Sequence, residues 1–332
     1  MPLNVAIVGL KGHQGTILDG ISRLDGVRLA AVCDDDAAAL AGVREWRCAD
    51  EQTRTYADWQ EMLRQEQIDI LGEAGVDSER HRIVIAALQR GIHCLCEKPL
   101  AASLPDLADV QTALDNAGDV HLSMLLTMRF EPAYRLVKSV VEAGDIGEVC
   151  LASFQKSYRL GNRPRWQTST ETFSGIIPFV GIHALDCLRW TTGREFTEVF
   201  GHCSNVGHPD IGDMEDQGTV LAILDNGGSA VARLDYCRPA AAPTHGDDRI
   251  RIAGNRGVIE SVGCGRQITL ITSEQGPRQL QAPEVPQGQF ANFVGAIRGE
   301  CDCEVPAADC LRMTEVVLKA RAAAQRGIPF PV

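Results

Sequence analysis

From Leu3 to about His121 the chain alternates short apolar, β-branched runs with amphipathic stretches: NVAIV, GTILDGISRL, VRLAAVC, ADWQEMLRQ, IDILGEAGV, RIVIAALQRG and IHCLCE. This βαβα rhythm argues for a parallel sheet covered by helices on both faces. After VHLSMLLTM the rhythm changes. Glu131 to Ala143 sets Leu136, Val137, Val140 and Val141 at helical spacing and stops on Gly144. Beyond it, EVCLASFQKSY, TEVFGHCSNV, QGTVLAILD, GSAVARLDY, DRIRIAG, GVIESVG and QITLIT follow one another through turns such as DNGG and GNRG, which favours a largely antiparallel sheet. Asp309 to Arg326 reads as a last amphipathic helix, stopped by Gly327 and Pro329. A chain of 332 residues has room for two domains. The boundary is expected at residues 122–130, giving a dinucleotide-binding domain over 1–125 and a second domain over 126–332.

The strand NVAIV runs straight into Gly9, Gly12 and Gly15, with a helix expected from about Thr16. A tight turn, close approach of backbone to a pyrophosphate and tight helix–strand packing each need a residue without a side chain, and a helix N-terminus offers N–H groups to phosphate. The spacing is G-x-x-G-x-x-G, one residue longer in its first step than the commonest dinucleotide fingerprint. His13 and Gln14 lie within this turn. The second strand, VRLAAVC, ends in Asp34, Asp35 and Asp36, with Asp34 about 20 positions beyond the turn, where an acidic side chain binds a ribose hydroxyl and repels the extra phosphate of NADP. NAD is therefore expected over NADP. One of the three aspartates is also expected to cap the helix AAALAGV.

The formal charge is -12, from 32 Lys plus Arg against 44 Asp plus Glu, without a basic block, which makes nucleic acid and acidic membranes poor partners. The opening MPLNVAIVGL lacks a positive n-region and its apolar run is too short to span a membrane, so a cytoplasmic location is expected. Twelve cysteines scattered over a long chain read as reduced, mostly buried thiols. Cys94/Cys96 and Cys301/Cys303 are each separated by one residue, unlike zinc ligands, and no metal site is expected.

Glu97, Lys98 and Pro99 follow the short strand IHCLC, and this E-K-P resembles the signature of the Gfo/Idh/MocA oxidoreductases. Arg129, Pro132, Lys138, Gly144 and Gly147 resemble that family's domain-joining segment. GIHALD, with Gly181, His183 and Asp186, resembles its G-x-H-x-x-D element, and TEVVLKARAAAQRG its final helix. The resemblance implies an α/β fold: an N-terminal Rossmann domain with a doubly wound parallel sheet, then a C-terminal α/β domain with a large, mainly antiparallel open sheet. It further implies hydride transfer between NAD and a hydroxyl of a sugar, polyol or related molecule, with Lys98 and His183 near the reacting carbon and Glu97 and Lys98 beside the cofactor. The chemistry of the residues fits: histidine titrates near working pH and can take the hydroxyl proton, while an ammonium stabilises a developing alkoxide. Because the glycine turn and E-K-P both follow strand ends, both are expected on one edge of the sheet. A homo-oligomer, dimer or tetramer, built through the second sheet is expected as well.

The family usually carries an aspartate two residues before the glycine of G-x-H-x-x-D, and here that position is Phe179. A phenyl ring cannot orient an imidazole. Asp186 is the nearest substitute. Two rival readings follow from Phe179 and from the family: a dinucleotide-binding sensor or regulatory protein without turnover, or an enzyme that uses bound NAD transiently to cleave or epimerise a sugar without net redox. The irregular segment before this element carries Tyr158, Arg163, Arg165 and Trp166, residue types that bind acidic groups and stack on sugars. With Arg129, Phe179 and Asp186 they form the expected substrate-binding set.

Overall fold

The computed structural model describes residues 2–285 and 287–332, which fold into two compact units: residues 2–125 with 287–312, and residues 126–285 with 313–332. In the first unit, strands β1 (Leu3–Val8), β2 (Val27–Cys33), β3 (Arg54–Tyr56), β4 (Ile70–Glu73), β5 (His93–Cys96) and β6 (Leu122–Met124) form one sheet in the order β3-β2-β1-β4-β5-β6. Every pairing is parallel. That is the doubly wound order, in which the strand order reverses beside β1 and opens a crevice at the carboxyl ends of β1 and β4. The crossovers carry α1 (Gln14–Ile21), α2 (Ala37–Ala41), α3 (Trp59–Gln65), α4 (Asp77–Leu88) and α5 (Leu104–Asp115).

Val5, Ile7, Ile17, Leu29, Val32, Ile70 and Leu95 form the core of this unit together with Phe290 and Phe293. Those two rings come from a helix at Gln289–Ile297, which returns the chain to the first unit long after it has left. A single cut at residue 125 therefore misplaces residues 287–312. The close seat of this helix depends on Gly20 of α1, where a Cβ would stand 2.4 Å from the Phe290 ring. Burying each Phe contributes about 1.5–3 kcal/mol to this union.

The second unit holds α6 (Pro132–Glu142), α7 (Ile182–Thr192) and nine strands: β7 (Val149–Ser157), β8 (Phe196–Ser204), β9 (Gln217–Leu224), β10 (Ser229–Asp235), β11 (Arg249–Gly254), β12 (Gly257–Val262), β13 (Gln267–Thr272), β14 (Arg278–Leu280) and β15 (Phe330–Pro331). Their order is β14-β13-β12-β11-β7-β10-β9-β8-β15, antiparallel except for β7 with β10. Side chains alternate across it. Ala152, Phe154, Val220, Ala222, Ala232, Leu234, Ile250 and Ile252 are buried, and α7 packs against β7 and β10. Leu151, Leu221 and Ile271, at alternate positions, stand 43%, 36% and 40% exposed. The helix Gln289–Ile297 is α8, and α9 (Ala307–Arg326) contains the second cut between the units.

All twelve cysteines are free, but they are not mostly buried: Cys33, Cys94, Cys96, Cys187 and Cys310 are, whereas Cys150, Cys237, Cys264 and Cys301 are exposed. Cys150 lies inside an apolar run yet is exposed, because it stands at the start of β7 beside exposed Leu151, where the pairing with β11 shifts register and strict alternation begins only further along the strand.

Candidate active site

Gly9 takes a φ of +84°, and a Cβ there would stand 2.3 Å from Gly75 Cα, so two glycines let the turns after β1 and β4 touch. Lys11 N donates to the Ala74 carbonyl at 3.0 Å and fixes that contact. Gly12 serves a different neighbour: a Cβ there would come 2.7 Å from Glu97 Oε1. His13 donates its backbone N–H to the same Oε1 at 2.5 Å, and its Nδ1 lies 2.5 Å from it. By contrast Gly15 has open space where its Cβ would be. No side chain caps α1, and Gln14 Oε1 in its first turn is buried without a partner among the described residues. Open backbone, an uncapped helix N-terminus and an orphaned polar atom suit the pyrophosphate of a dinucleotide.

The E-K-P segment closes this turn from the next strand end. Lys98 is 1% exposed, its Nζ 3.7 Å from Glu97 Oε2, and the Lys98–Pro99 bond is cis. Burial would push the Glu97 carboxyl up, but Lys98 and His13 outweigh it and hold it well below the usual carboxylate range. Beneath lies a network the sequence reading did not single out. Buried Arg80 donates to Glu73 Oε2 at 2.6 Å, to Asp77 Oδ1 at 3.1 Å, to the Gly75 carbonyl at 3.2 Å and to the Pro99 carbonyl at 2.7 Å. One guanidinium thus ties the loop after β4 to the loop after β5. Its sequence signal is weak, an arginine one turn into α4.

The three aspartates after β2 do three different things. Asp34, buried, accepts from Leu10 N at 2.7 Å and Asp36 N at 2.8 Å and so holds the glycine turn. Asp35, exposed, pairs with Lys11. Asp36 caps α2 by accepting from Ala38 N and Ala39 N. Lys11, a cation inside the glycine turn, was not among the expected cofactor residues.

In the second unit the expected substrate residues sort into three groups. Arg129 and Asp186 bind each other: Nε donates to Oδ2 at 3.0 Å and Nη2 to Oδ1 at 2.5 Å, with both side chains buried. A carboxylate fixed by this fork is a tie between α7 and the segment before α6, which removes Asp186 as the substitute for the missing aspartate. Tyr158 and Arg163 belong to a polar patch. The Tyr158 ring stacks on His245 at 5.3 Å and on Tyr236 at 6.5 Å, and the Arg163 guanidinium sits 4.0 Å over Tyr236. Lys156, buried, donates to Asp248 Oδ2 at 2.6 Å and lies 5.2 Å from the Tyr158 ring. Burial would lower the Lys156 ammonium, but Tyr158 and Asp248 hold it above its ordinary value. Lys156, Tyr236, His245 and Asp248 were missed by the sequence reading. The available signal was a lysine at an inward position of β7, two residues after Phe154.

The third group is apolar. Phe179, Trp166 and Phe173 form a trio of edge-on rings with centroids 5.1 to 6.1 Å apart. Phe179 stands in a π-helical turn, Ile177–Gly181, that leads into α7 and sets His183 one residue into that helix. His183 is half-buried, and Arg165 is exposed.

A parallel 3-2-1-4-5-6 sheet whose first turn presents open glycine backbone and an uncapped helix defines a dinucleotide-binding protein. Comparison with known proteins agrees. Residues 3–124 match the oxidoreductase family with an NAD-binding Rossmann fold, and residues 134–260 match the GFO/IDH/MocA C-terminal domain. A solved oxidoreductase structure from Thermotoga maritima is 32% identical, with a TM-score of 0.93 over 99% of this chain and 100% of that one. Myo-inositol 2-dehydrogenase of T. maritima is 27% identical over 280 residues, 83% of this chain and 80% of its own. D-apiose dehydrogenase of Paraburkholderia graminis is 27% identical over 256 residues, 76% of this chain and 66% of its own. The chain belongs to the Gfo/Idh/MocA family of NAD-binding oxidoreductases.

Proposed function

We propose that the protein is an NAD-dependent dehydrogenase acting on a CH–OH group of a sugar, polyol or related small molecule. The observation that carries this reading is the buried Lys98 ammonium beside Glu97, which itself grips the glycine turn. A cation held there can meet the oxygen of a reacting alcohol next to a bound dinucleotide. Bound NAD supplies the hydride acceptor. His183 takes the hydroxyl proton, Lys98 steadies the oxygen as its charge develops, and Tyr158 and Arg163 with Tyr236 offer rings and a guanidinium to a polyol. The inositol- and apiose-oxidising relatives support this substrate class. The test is NADH formation with saturating NAD over a panel of inositols, aldoses and aldonic acids. Turnover of at least one is expected, and none across the panel would contradict it.

The apolar trio around Phe179 favours a second reading, a sensor that binds NAD without turning anything over. Stoichiometric NAD binding with no NADH and no change in any sugar would establish it. Sugar turnover without NADH would instead indicate transient redox. We infer further that the chain forms a dimer or tetramer through the face bearing Leu151, Leu221 and Ile271, since apolar rows of this kind seldom stay solvated. We place it in the cytoplasm, where twelve free thiols, four of them exposed, remain reduced. Among the described residues no helix is long and apolar enough to cross a membrane.

A further inference from the structure

We propose that His208, Asp216 and Cys237 form a binding site for one divalent cation of the zinc class, at the end of the nine-stranded sheet where β8 leaves and β9 and β10 meet. One ligand atom from each of the three residues falls within 4.8 Å of the other two, and His208 Nδ1 is 3.1 Å from Asp216 Oδ2. A tetrahedral zinc holds its ligand atoms roughly 3.3–3.8 Å apart, so a side-chain shift of about an ångström closes the set.

Two features show that this end of the sheet is built for the cluster. Asp216 is fully buried, and among the described residues its carboxylate receives only a long bond from Val206 N at 3.3 Å besides the imidazole, with no Lys or Arg side chain pairing with it. A buried carboxylate so poorly compensated is costly unless a cation joins it. The second feature is Gly207, whose φ lies outside the left-handed region. A Cβ there would stand 2.7 Å from Asp216 Oδ2 and 3.1 Å from Cys237 Sγ, so any side chain would fill the space between the ligands. The backbone fixes the frame: Asp216 N donates to the Ser204 carbonyl at 3.0 Å and Tyr236 N to the Asp216 carbonyl at 2.8 Å, which keeps Cys237 beside Asp216. Half-exposed His208 and exposed Cys237 leave an entry path.

The donor set chooses the ion. Imidazole nitrogen with thiolate sulfur selects zinc and its neighbours over magnesium or calcium, which take oxygen donors. Three protein ligands leave one position for water. On binding, the Cys237 S–H proton goes to solvent as the metal–sulfur bond forms. Because Cys237 bridges to Arg159, next to Tyr158, the ion would clamp the 205–216 turn and the end of β10 against the polar patch.

Metal-stripped full-length protein should be titrated with cobalt(II), a spectroscopic stand-in, and with zinc(II) against a chromophoric chelator. One ion per chain is expected, with a near-ultraviolet thiolate-to-cobalt band. Cys237→Ser should abolish the band, and His208→Ala should weaken zinc binding at least tenfold, while Cys264→Ser and Cys301→Ser keep both. Cys237 is exposed, so its serine variant should fold, and an unchanged circular dichroism spectrum checks this. Absence of stoichiometric binding, or a band that survives Cys237→Ser, would overturn the assignment.

Discussion

The carboxylate of Glu97 receives both the backbone N–H and the ring nitrogen of His13 on a single oxygen, each at 2.5 Å. A residue of the signature after β5 thereby sets the shape of the glycine turn after β1. Because the folded-state carboxyl titrates below its unfolded value, it stabilises the fold fully above the ordinary carboxylate range, and that contribution is lost as pH falls below about 4.3. Glu97→Gln should flatten the acid limb of a stability–pH curve and weaken NAD binding. Glu97→Ala should cost about 3 kcal/mol in urea unfolding, since it removes a buried carboxylate that both His13 and Lys98 engage. An unchanged acid limb would contradict this role.

The ion pair of Lys11 with Asp35 bears on cofactor choice. While Asp34 and Asp35 hold the ammonium, it is not available to a 2′-phosphate, and NAD should bind tighter than NADP. Asp35→Asn should release Lys11 and narrow the preference by about two- to fivefold, the scale of an exposed ion pair. Fluorescence titration of both cofactors checks it, and tighter NADP binding by the unaltered protein would contradict it.

The buried fork between Arg129 and Asp186 should act on stability. Asp186→Asn should cost about 3–5 kcal/mol, read by urea unfolding, because the guanidinium is left buried without its counter-charge. Turnover per folded molecule should keep its pH profile. A loss below about 1 kcal/mol would show the pair to be dispensable.

Thiol reactivity should divide the cysteines. Cys150, Cys264 and Cys301 should react quickly with a disulfide reagent, Cys237 only once the metal has been stripped, and the buried five only after unfolding. Burial, with Asp34, Asp58 and Asp35 nearby, pushes the Cys33 thiol up to about 12, so Cys33 should be among the slowest. Rapid modification of Cys33 in folded protein would contradict its placement.

What the sequence made legible was local in the chain. The glycine turn, E-K-P and the alternation of β7 through β13 are written in consecutive residues, and the structure forms each where the pattern lies. Partnerships across the chain were not legible. No element was assigned to α8 from the sequence, and nothing local says which unit would receive it or joins Lys156 to Asp248, 92 positions away. The acidic end of β2 shows the same limit: composition announces three aspartates, and only the backbone geometry decides that Asp36 caps, Asp35 pairs and Asp34 holds the turn. Phe179 was read as a missing carboxylate, and its packing on Trp166 and Phe173 shows what took its place.

The most direct test of the proposed chemistry compares NADH formation by the unaltered protein, Lys98→Met and His183→Ala on whichever polyol or sugar is turned over, with NAD binding measured alongside. Each substitution should lower kcat by about 10²-fold or more while NAD affinity stays within a few fold, the pattern of a lost acid–base or charge-stabilising group. Turnover at the original rate in either variant would contradict the assignment of Lys98 and His183 to the reacting centre.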